Sequence, residues 1–270
     1  MRAITAIFLF FAFAIGASTA AYVNLVNPLN ATLYTNQTIY IGEVAPGQSF
    51  SVGILSNTTN STGSMILYGW NKLVALDLPP NWTASSTSFN TRYLQVLIKP
   101  SSNSEIGKYR LKFEAINVGN YTHLGVLPFY ATISINPSVF SISAYPSKII
   151  STPGVPANVT IAINNSGVSD CPFIISSAGL INFNNTESII AVHHRTVHAN
   201  YPVREGQAGS YNFRLMINST QSSLVNKTLN ITFIVKPTMG SEFASTGQGI
   251  AIFPITYAPI YAIEYLLSKI

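Results

Sequence analysis

The sequence predicts an all-β protein of two sandwiches in tandem, with an N-terminal signal peptide and a hydrophobic C-terminal segment. Three observations lead to this prediction. Apolar and polar residues alternate with period two in several stretches, which is typical of half-buried antiparallel strands. Those stretches recur at a nearly constant interval along the chain. Between the two termini, no stretch shows a convincing helical period.

The N-terminus has the pattern of a secretory signal peptide. Arg2 provides the positive start, Ile4 to Ile15 is apolar, and small residues at Ser18 to Ala21 form cleavage signals. We therefore predict that residues 1–21 are a signal peptide cleaved near Ala20 or Ala21. The alternative is an uncleaved N-terminal anchor.

Alternation assigns core faces to the strands. Between Lys108 and Ala115, the apolar positions are Tyr109, Leu111 and Phe113. The same pattern places three further sets on core faces: Val159, Ile161 and Ile163; Tyr211, Phe213, Leu215 and Ile217; and Leu229, Ile231, Phe233 and Val235.

Three segments occur twice in the same order. The pairs are Ala45-Pro46-Gly47 with Thr152-Pro153-Gly154, Gly107-Lys108-Tyr109 with Gly209-Ser210-Tyr211, and Ile133 to Pro137 with Phe233 to Pro237, at offsets of 107, 102 and 100 residues. A repeat of this length made of short strands is the size of one immunoglobulin-like sandwich. We therefore predict two immunoglobulin-like β-sandwiches, over residues 22–138 and 139–238.

A family resemblance rests on three segments of the first repeat. They are Leu78-Pro79-Pro80-Asn81-Trp82-Thr83, Gln95 to Pro100, and Ile106-Gly107-Lys108-Tyr109. The series resembles the NPCBM-associated (alpha-galactosidase-associated) immunoglobulin-like domains appended to glycoside hydrolases, which also occur in tandem on archaeal cell-surface proteins. Asn81 stands where that pattern usually has glycine. We call residues 78–83 the tryptophan turn, and the second repeat lacks it. The resemblance implies the sandwich fold and a spacer or adhesive role, and it supplies no functional residues.

Sequons for N-glycosylation are the commonest motif of the chain. Twelve of its 24 asparagines have the pattern Asn-x-Ser/Thr with x not proline. They are Asn30, Asn36, Asn57, Asn60, Asn81, Asn120, Asn158, Asn164, Asn184, Asn218, Asn226 and Asn230. Several alternate away from the apolar strand faces. We therefore predict a glycoprotein on the extracellular face of the cell membrane or in the cell envelope.

Composition excludes some classes of protein. Charged residues make up 9% of the chain, the net charge is +5, and no dense Lys/Arg run occurs, so nucleic acid is not an expected partner. Because the chain has nine Asp and Glu, stability should depend weakly on pH. Cys171 is the single cysteine, so no intrachain disulfide forms. We expect a buried thiol, with an intermolecular disulfide as the alternative.

The histidine cluster is the one candidate metal site. His193, His194 and His198 lie among apolar residues that favour a strand. Two histidines four residues apart on a strand are about 13 Å apart, too far for one zinc ion. We therefore predict exposed strand histidines and no metal or other cofactor.

Two further groups have a structural and a binding interpretation. Lys108, Arg110 and Lys112 share one strand face, which is either simply solvated or contacts anionic sugars or lipid headgroups. Trp70 and Trp82 are either core residues or platforms for a sugar ring. In both cases we predict the structural role. The carboxylates are scattered and no catalytic motif occurs, so we predict that the protein is not an enzyme.

The C-terminus presents a linker and a candidate anchor. Residues 239–249 are rich in Gly, Ser and Thr, and residues 250–268 are mostly apolar and long enough to span a bilayer core. Pro254, Pro259 and Glu264 argue against insertion. A membrane anchor is predicted, and the alternatives are an interfacial or subunit-packing segment and a core element.

Together these features predict a non-enzymatic, glycosylated cell-surface protein with a structural, spacer or adhesive role. Its expected partners are the membrane, through the C-terminal segment, and other envelope proteins or glycans. The first alternative is a subunit of an extracellular filament, in which residues 21–40 complete a neighbour's sheet by strand addition. The second is a carbohydrate-binding or carbohydrate-active accessory protein.

Overall fold

The computed structural model describes residues 21–59, 63–86, 92–118, 124–181 and 183–237. The signal peptide up to residue 20, the linker, the candidate anchor and two sequons, Asn60 and Asn120, lie outside the described residues. The all-β prediction is confirmed. The described residues form strands, with one short 3-10 turn at Pro137–Val139.

Over residues 21–59, 63–86, 92–118 and 124–135, the first sandwich contains eleven strands. They are β1 (Val23–Asn27), β2 (Ala31–Leu33), β3 (Thr38–Val44), β4 (Phe50–Leu55), β5 (Thr58–Thr59), β6 (Met65–Ile66), β7 (Lys72–Leu76), β8 (Thr83–Ser86), β9 (Tyr93–Lys99), β10 (Gly107–Ile116) and β11 (Val126–Ile135). One sheet has the order β2-β1-β4-β9-β8, and the facing sheet has the order β3-β11-β10-β7. A small β5-β6 hairpin stands apart. β3 joins β11 in parallel, and the other pairs are antiparallel.

Over residues 140–181 and 183–237, the second sandwich contains eight strands. They are β12 (Phe140–Tyr145), β13 (Lys148–Ser151), β14 (Ala157–Asn165), β15 (Cys171–Ala178), β16 (Thr186–Ala191), β17 (Arg195–Val203), β18 (Gly209–Ser219) and β19 (Asn226–Val235). The sheet orders are β12-β14-β17 and β13-β19-β18-β15-β16. The first two strands lie in different sheets: β12 pairs with β14, and β13 pairs in parallel with the last strand, β19. The first sandwich has the same arrangement, with β1 and β2 in one sheet and β3 in parallel with the last strand of the other. Both halves therefore have an immunoglobulin-like topology.

Each sandwich has its own apolar core. The predicted inward residues Leu111 and Phe113 are buried in the first core, and Phe213 and Phe233 are buried in the second. The period-two assignment is confirmed at these positions. β-branched and aromatic side chains on one face of the longer strands bury against the opposite sheet, which is the main source of stability in such a fold.

The repeated segments occupy equivalent places. Gly47 and Gly154 both lie in the turn between the parallel-pairing strand and the next, each with φ of +76°. Their φ lies in the left-handed region, which favours glycine. Tyr109 donates its hydroxyl to Glu105 O at 2.9 Å, and Tyr211 donates to Gln207 O at 3.0 Å. Both are tyrosine corners, a hydrogen bond from the start of a strand back to the preceding loop.

The tryptophan turn packs on the tyrosine corner of the first sandwich. Trp82 is buried, its ring centroid lies 5.0 Å from that of Tyr109, and its Nε1 donates to Ser104 Oγ at 2.9 Å. Asn81 has φ of +64°, which explains why glycine suits this position and why asparagine also adopts it. The core role predicted for Trp82 is confirmed. Trp70 is fully buried too and donates to Tyr22 O at 2.9 Å.

Candidate functional site: the junction between the two sandwiches

Apolar contacts and hydrogen bonds join the two sandwiches where they meet. We call it the junction, formed by residues 42–49 of the first sandwich, the connecting residues 136–139, and residues 166–170 and 219–221 of the second. Residues 42–49 end β3 and turn toward β4. Residues 166–170 form the loop after β14, and residues 219–221 begin at the last residue of β18 and continue into the loop after it. Chain connectivity alone does not require these loops to touch.

Apolar side chains cross the junction in both directions. Val168, from the second sandwich, packs against the first core, and Ala45, from the first, is fully buried in the second core. Gly42 makes room for this exchange. A Cβ at that position would lie 2.2 Å from Val168 Cγ1, and its φ of +122° also favours glycine.

Within the described part of the chain, four hydrogen bonds join the two sandwiches directly. Val168 N donates to Glu43 O at 3.0 Å, and Gln48 Nε2 donates to Ser169 O at 2.8 Å. Ser49 N donates to Gln221 Oε1 at 3.1 Å, and Ser169 Oγ donates to Ser49 O at 2.6 Å. Two loops of the second sandwich therefore bind one turn of the first.

Gln48 is the central residue of the junction. Its side chain is completely buried, at 0% exposure. While its amide nitrogen crosses to Ser169, its Oε1 accepts a hydrogen bond from Ala45 N at 2.8 Å. A buried amide group is stable only with its hydrogen bonds made, so Gln48 fixes both its own turn and the loop opposite.

The partner loop is itself braced. Asn165, also fully buried, donates from Nδ2 to Ser169 O at 2.8 Å and to Ala191 O at 2.9 Å. Its Oδ1 accepts from Gly167 N at 2.9 Å. Val168 and Ser169 therefore project from a preformed loop.

The connecting segment is held against the first sandwich. Asn136 N donates to Val44 O, and Asn136 Nδ2 donates to Glu43 Oε2 at 3.0 Å. Asn136 Oδ1 accepts from Ser138 N at 2.9 Å and so caps the 3-10 turn. Domains joined only by a linker move freely unless a specific interface holds them. Here packing and hydrogen bonds both act across the junction.

The sequons within the described residues divide unequally between the sandwiches. In the first, Asn30, Asn36, Asn57 and Asn81 lie in turns or beyond strand ends. In the second, strands carry five sequons with exposed side chains: Asn158, Asn164, Asn218, Asn226 and Asn230. Asn184 lies in the loop before β16 and is exposed. Modification of all twelve stays a prediction.

The histidine cluster is not a continuous strand as predicted. His193 and His194 form the turn between β16 and β17, and His194 has φ of +53°. The strand prediction is wrong at these two positions because the chain reverses there, and it holds for His198 in β17. Within the described ranges, no group of three His, Cys, Asp or Glu is placed to hold a metal ion.

His193 pairs with an acid of the junction, Asp170. Its backbone N donates to Asp170 Oδ1 at 2.8 Å, and its Nδ1 lies 2.7 Å from the same oxygen. Partial burial acts to raise the pKa of Asp170, but the hydrogen bonds from His193 outweigh it and the pKa is lowered. Both side chains are about half exposed, at 52% and 51%. The pair stabilises the turn modestly.

The lone thiol is buried as predicted. Cys171 is 0% exposed, and its Sγ lies 3.1 Å from Ser219 Oγ. Burial raises the pKa of the Cys171 thiol, and the Ser219 hydroxyl opposes this only in part. A buried thiol that stays protonated is unreactive, which leaves the intermolecular disulfide without a structural basis.

The N-terminal strands pair within their own sandwich. β1 pairs with β4 and β2, and β3 pairs with β11. Tyr22 is fixed by Thr58, whose hydroxyl donates to Tyr22 O at 2.7 Å and accepts from Tyr22 N at 3.2 Å. Strand addition to a neighbour needs this segment free, so the arrangement gives the filament alternative no support.

Comparison with known proteins assigns no family. No protein-family model and no curated protein matches the chain. The resemblance to NPCBM-associated domains therefore rests on the quoted residues alone, and what the structure supports is the immunoglobulin-like sandwich. Within the residues that the structure describes, no helix is long and apolar enough to cross a membrane.

Similar solved structures share little sequence with the chain. The latent dimer of PorU from Porphyromonas gingivalis matches with 13% identity and a TM-score of 0.25 over 82% of this chain, which spans 20% of that chain. Domains 5–6 of the S-layer protein SbsC match with 10% identity and a TM-score of 0.26, covering 79% of this chain and 97% of that one. The titin domains Z1Z2 in complex with telethonin match with 8% identity and a TM-score of 0.24, covering 77% and 97%.

Proposed function

We propose that this chain is a non-enzymatic, glycosylated cell-surface protein that acts as a stiff two-domain spacer. The observation that carries the proposal is the junction, where Gln48 and Val168 make two sandwiches into one unit. A spacer has to hold its ends at a fixed separation, and a stiff junction does this where a flexible linker does not.

Features of the sequence support the extracellular location. The twelve sequons and the signal-peptide pattern both belong to secreted chains. The exposed sequon side chains of the second sandwich are open to modification. With 9% charged residues, the chain would depend on sugar for much of its solubility. The apolar segment 250–268 would attach the spacer to the membrane.

The stiffness is tested by the distribution of distances between the sandwiches. Pairs of spin labels on exposed positions of the two domains in the full mature chain should give one narrow distance distribution. The double variant Gln48→Ala/Val168→Ser should broaden it, because it removes the packing of Val168 on the first core and the hydrogen bond from Gln48 to Ser169. The control Gln37→Ala/Val155→Ser makes the same replacements at exposed sites and should leave the distribution narrow. A wild-type distribution as broad as that of the junction variant would refute the spacer proposal.

Location is tested separately. The intact mass of the native protein should exceed that of the mature polypeptide by several glycans. The full-length protein should stay in the membrane fraction through a high-salt wash, because salt screens charge but leaves apolar insertion intact. A chain ending at Gly240 should be released. Bare polypeptide mass would contradict the extracellular location, and release of both proteins would contradict anchoring by residues 250–268.

A further inference from the structure

Equivalent sheets occur in the two sandwiches, and their outer faces carry different residues. The outer face of the second sheet carries sequons, and that of the first carries cations. β10 and β11 of the first sandwich pair in the register that β18 and β19 use in the second. Positions on the two ladders therefore correspond one to one. Tyr109 and Tyr211, which make the two tyrosine corners, confirm the alignment.

Three sequons of the second sandwich have apolar counterparts in the first. Asn218 pairs with Asn226 in the second ladder, and the equivalent pair in the first is Ile116 with Val126. Arg214 pairs with Asn230, and the equivalent pair is Lys112 with Tyr130. Sugar on these three asparagines would cover the outer face of the second sheet. The strands of the first sheet carry no sequon, and the sequon Asn36 lies in the turn before β3.

The outer face of the first sheet carries cations that contact tyrosine rings. We call it the basic face: the outer side of β3, β11 and β10 with Tyr40, Lys108, Arg110, Lys112 and Tyr130. The Arg110 guanidinium carbon lies 3.8 Å from the centroid of the Tyr130 ring, and Nη2 donates to Thr38 Oγ1 at 3.2 Å. Lys108 Nζ lies 5.8 Å from the centroid of the Tyr40 ring. These distances are in the range of cation–π contact.

Two of the cations on the basic face are not neutralised. Lys112 forms an ion pair with Glu114 at 2.9 Å. Among the described residues, Lys108 and Arg110 have no carboxylate within ion-pair distance, and both are exposed. They are two residues apart on one strand face, about 6.6–6.8 Å along the strand. Their rings and Thr38 restrict their rotamers, so an anion binding there meets preorganised donors.

We propose that the basic face binds an acidic polysaccharide, with Arg110 and Lys108 contacting successive anionic groups. This inference goes beyond the spacer role and rests on the proposed glycosylation only in treating the second sheet as covered. A guanidinium stacked on one side keeps free N–H groups for a carboxylate or sulfate.

The chemistry of the face favours a sugar polymer over a membrane. The hydroxyls of Thr38, Tyr40 and Thr132 lie on the same face as the two unneutralised cations. They can form hydrogen bonds with a hydroxylated ligand such as a sugar. An anionic lipid surface binds through clusters of about four to eight cations, and two unneutralised cations are too few.

Binding is measured on the native full-length protein by titration with oligogalacturonate at low salt. The variant Lys108→Gln/Arg110→Gln should raise the Kd between about tenfold and a hundredfold, because each charge-assisted contact contributes roughly one factor of ten. The control Arg214→Gln/Lys227→Gln removes two exposed cations from the second sandwich and so leaves the same net charge. Its Kd should stay within about twofold of wild type, as expected for sites outside the contact. Hydrogen exchange of the wild-type protein should show protection of β3, β10 and β11 on binding.

Several results would overturn the proposal. Equal losses in the two double variants would mean that the polymer responds only to net charge. Protection of β18 and β19 instead would place the site on the wrong sheet. Failure of oligogalacturonate to bind, with binding to vesicles of equal parts phosphatidylcholine and phosphatidylglycerol, would make the face a membrane contact. Each of these results leaves the interdomain distances and the intact mass unaffected, so failure here is distinct from failure of the spacer proposal.

Discussion

Replacing Gln48 with alanine tests whether the junction stabilises the folded protein. The change leaves Ala45 N buried without its acceptor, which costs about 1–3 kcal/mol. Ser169 O keeps the hydrogen bond from Asn165, so that side adds little. The space left by the amide adds about 1 kcal/mol. The total is about 2–4 kcal/mol, or a fall in Tm of about 4–16 °C for a chain of this size.

Gln37 provides a matched control. It makes the same local contact, with Oε1 accepting from Tyr34 N at 3.0 Å and its own N donating to Tyr34 O, but it is exposed. Gln37→Ala should therefore change stability by less than about 0.5 kcal/mol. The assay is thermal and denaturant unfolding of the mature chain by circular dichroism. If Gln48→Ala lowers the Tm no more than Gln37→Ala does, burial at the junction does not have the energetic role argued for it.

Three further predictions concern the second sandwich. Phe213→Ala should cost about 3–5 kcal/mol because the ring is fully buried, whereas Tyr145→Ala, at 78% exposure, should cost under about 0.5 kcal/mol. Similar losses of stability in the two variants would mean that the inward and outward faces of the strands are assigned the wrong way round. Tyr211→Phe removes only the tyrosine-corner hydrogen bond, so denaturant unfolding should show a loss of about 1 kcal/mol, and no loss would mean that the corner is not stabilising. Because His193 lowers the pKa of Asp170, this carboxylate contributes stability above its unfolded pKa of 3.8 and loses it as pH falls through the lower folded value. The stability difference between wild type and Asp170→Asn should shrink over that acid range, and a constant difference would contradict the contact.

Sequence patterns identified the strands because burial imposes its period on the chain. Phe213 and Leu215 point inward and the sequon Asn218 points outward, as alternation requires. The Gly-x-Tyr repeat was visible in the sequence, but the tyrosine-corner hydrogen bonds of Tyr109 and Tyr211 came only from the structure. The unusual Asn81 in the tryptophan turn was visible in the sequence, but its reason, a positive φ, is a property of the backbone.

The histidine segment shows where local patterns fail. Apolar residues flank His193 on both sides, so the pattern favoured one continuous strand. The chain instead reverses at His193 and His194, and the flanking apolar residues belong to strands of different sheets. A local pattern does not contain the information that two adjacent runs pack in different layers.

By itself the sequence determined the class of the fold, the repeat, the core faces and the sequons, because each depends on residue types at short, fixed spacing. Alternation already placed Lys108, Arg110 and Lys112 on one strand face, and only the tertiary structure decided the junction and the tyrosine rings of the basic face. Gln48 and Ser169 are 121 residues apart, and Tyr40 and Lys108 meet only because β3 joins the far side of β11. Nothing local distinguishes buried Gln48 from exposed Gln37, since both make the same turn. What differs is the loop of another domain packed over one of them, and such contacts arise only when the whole chain folds.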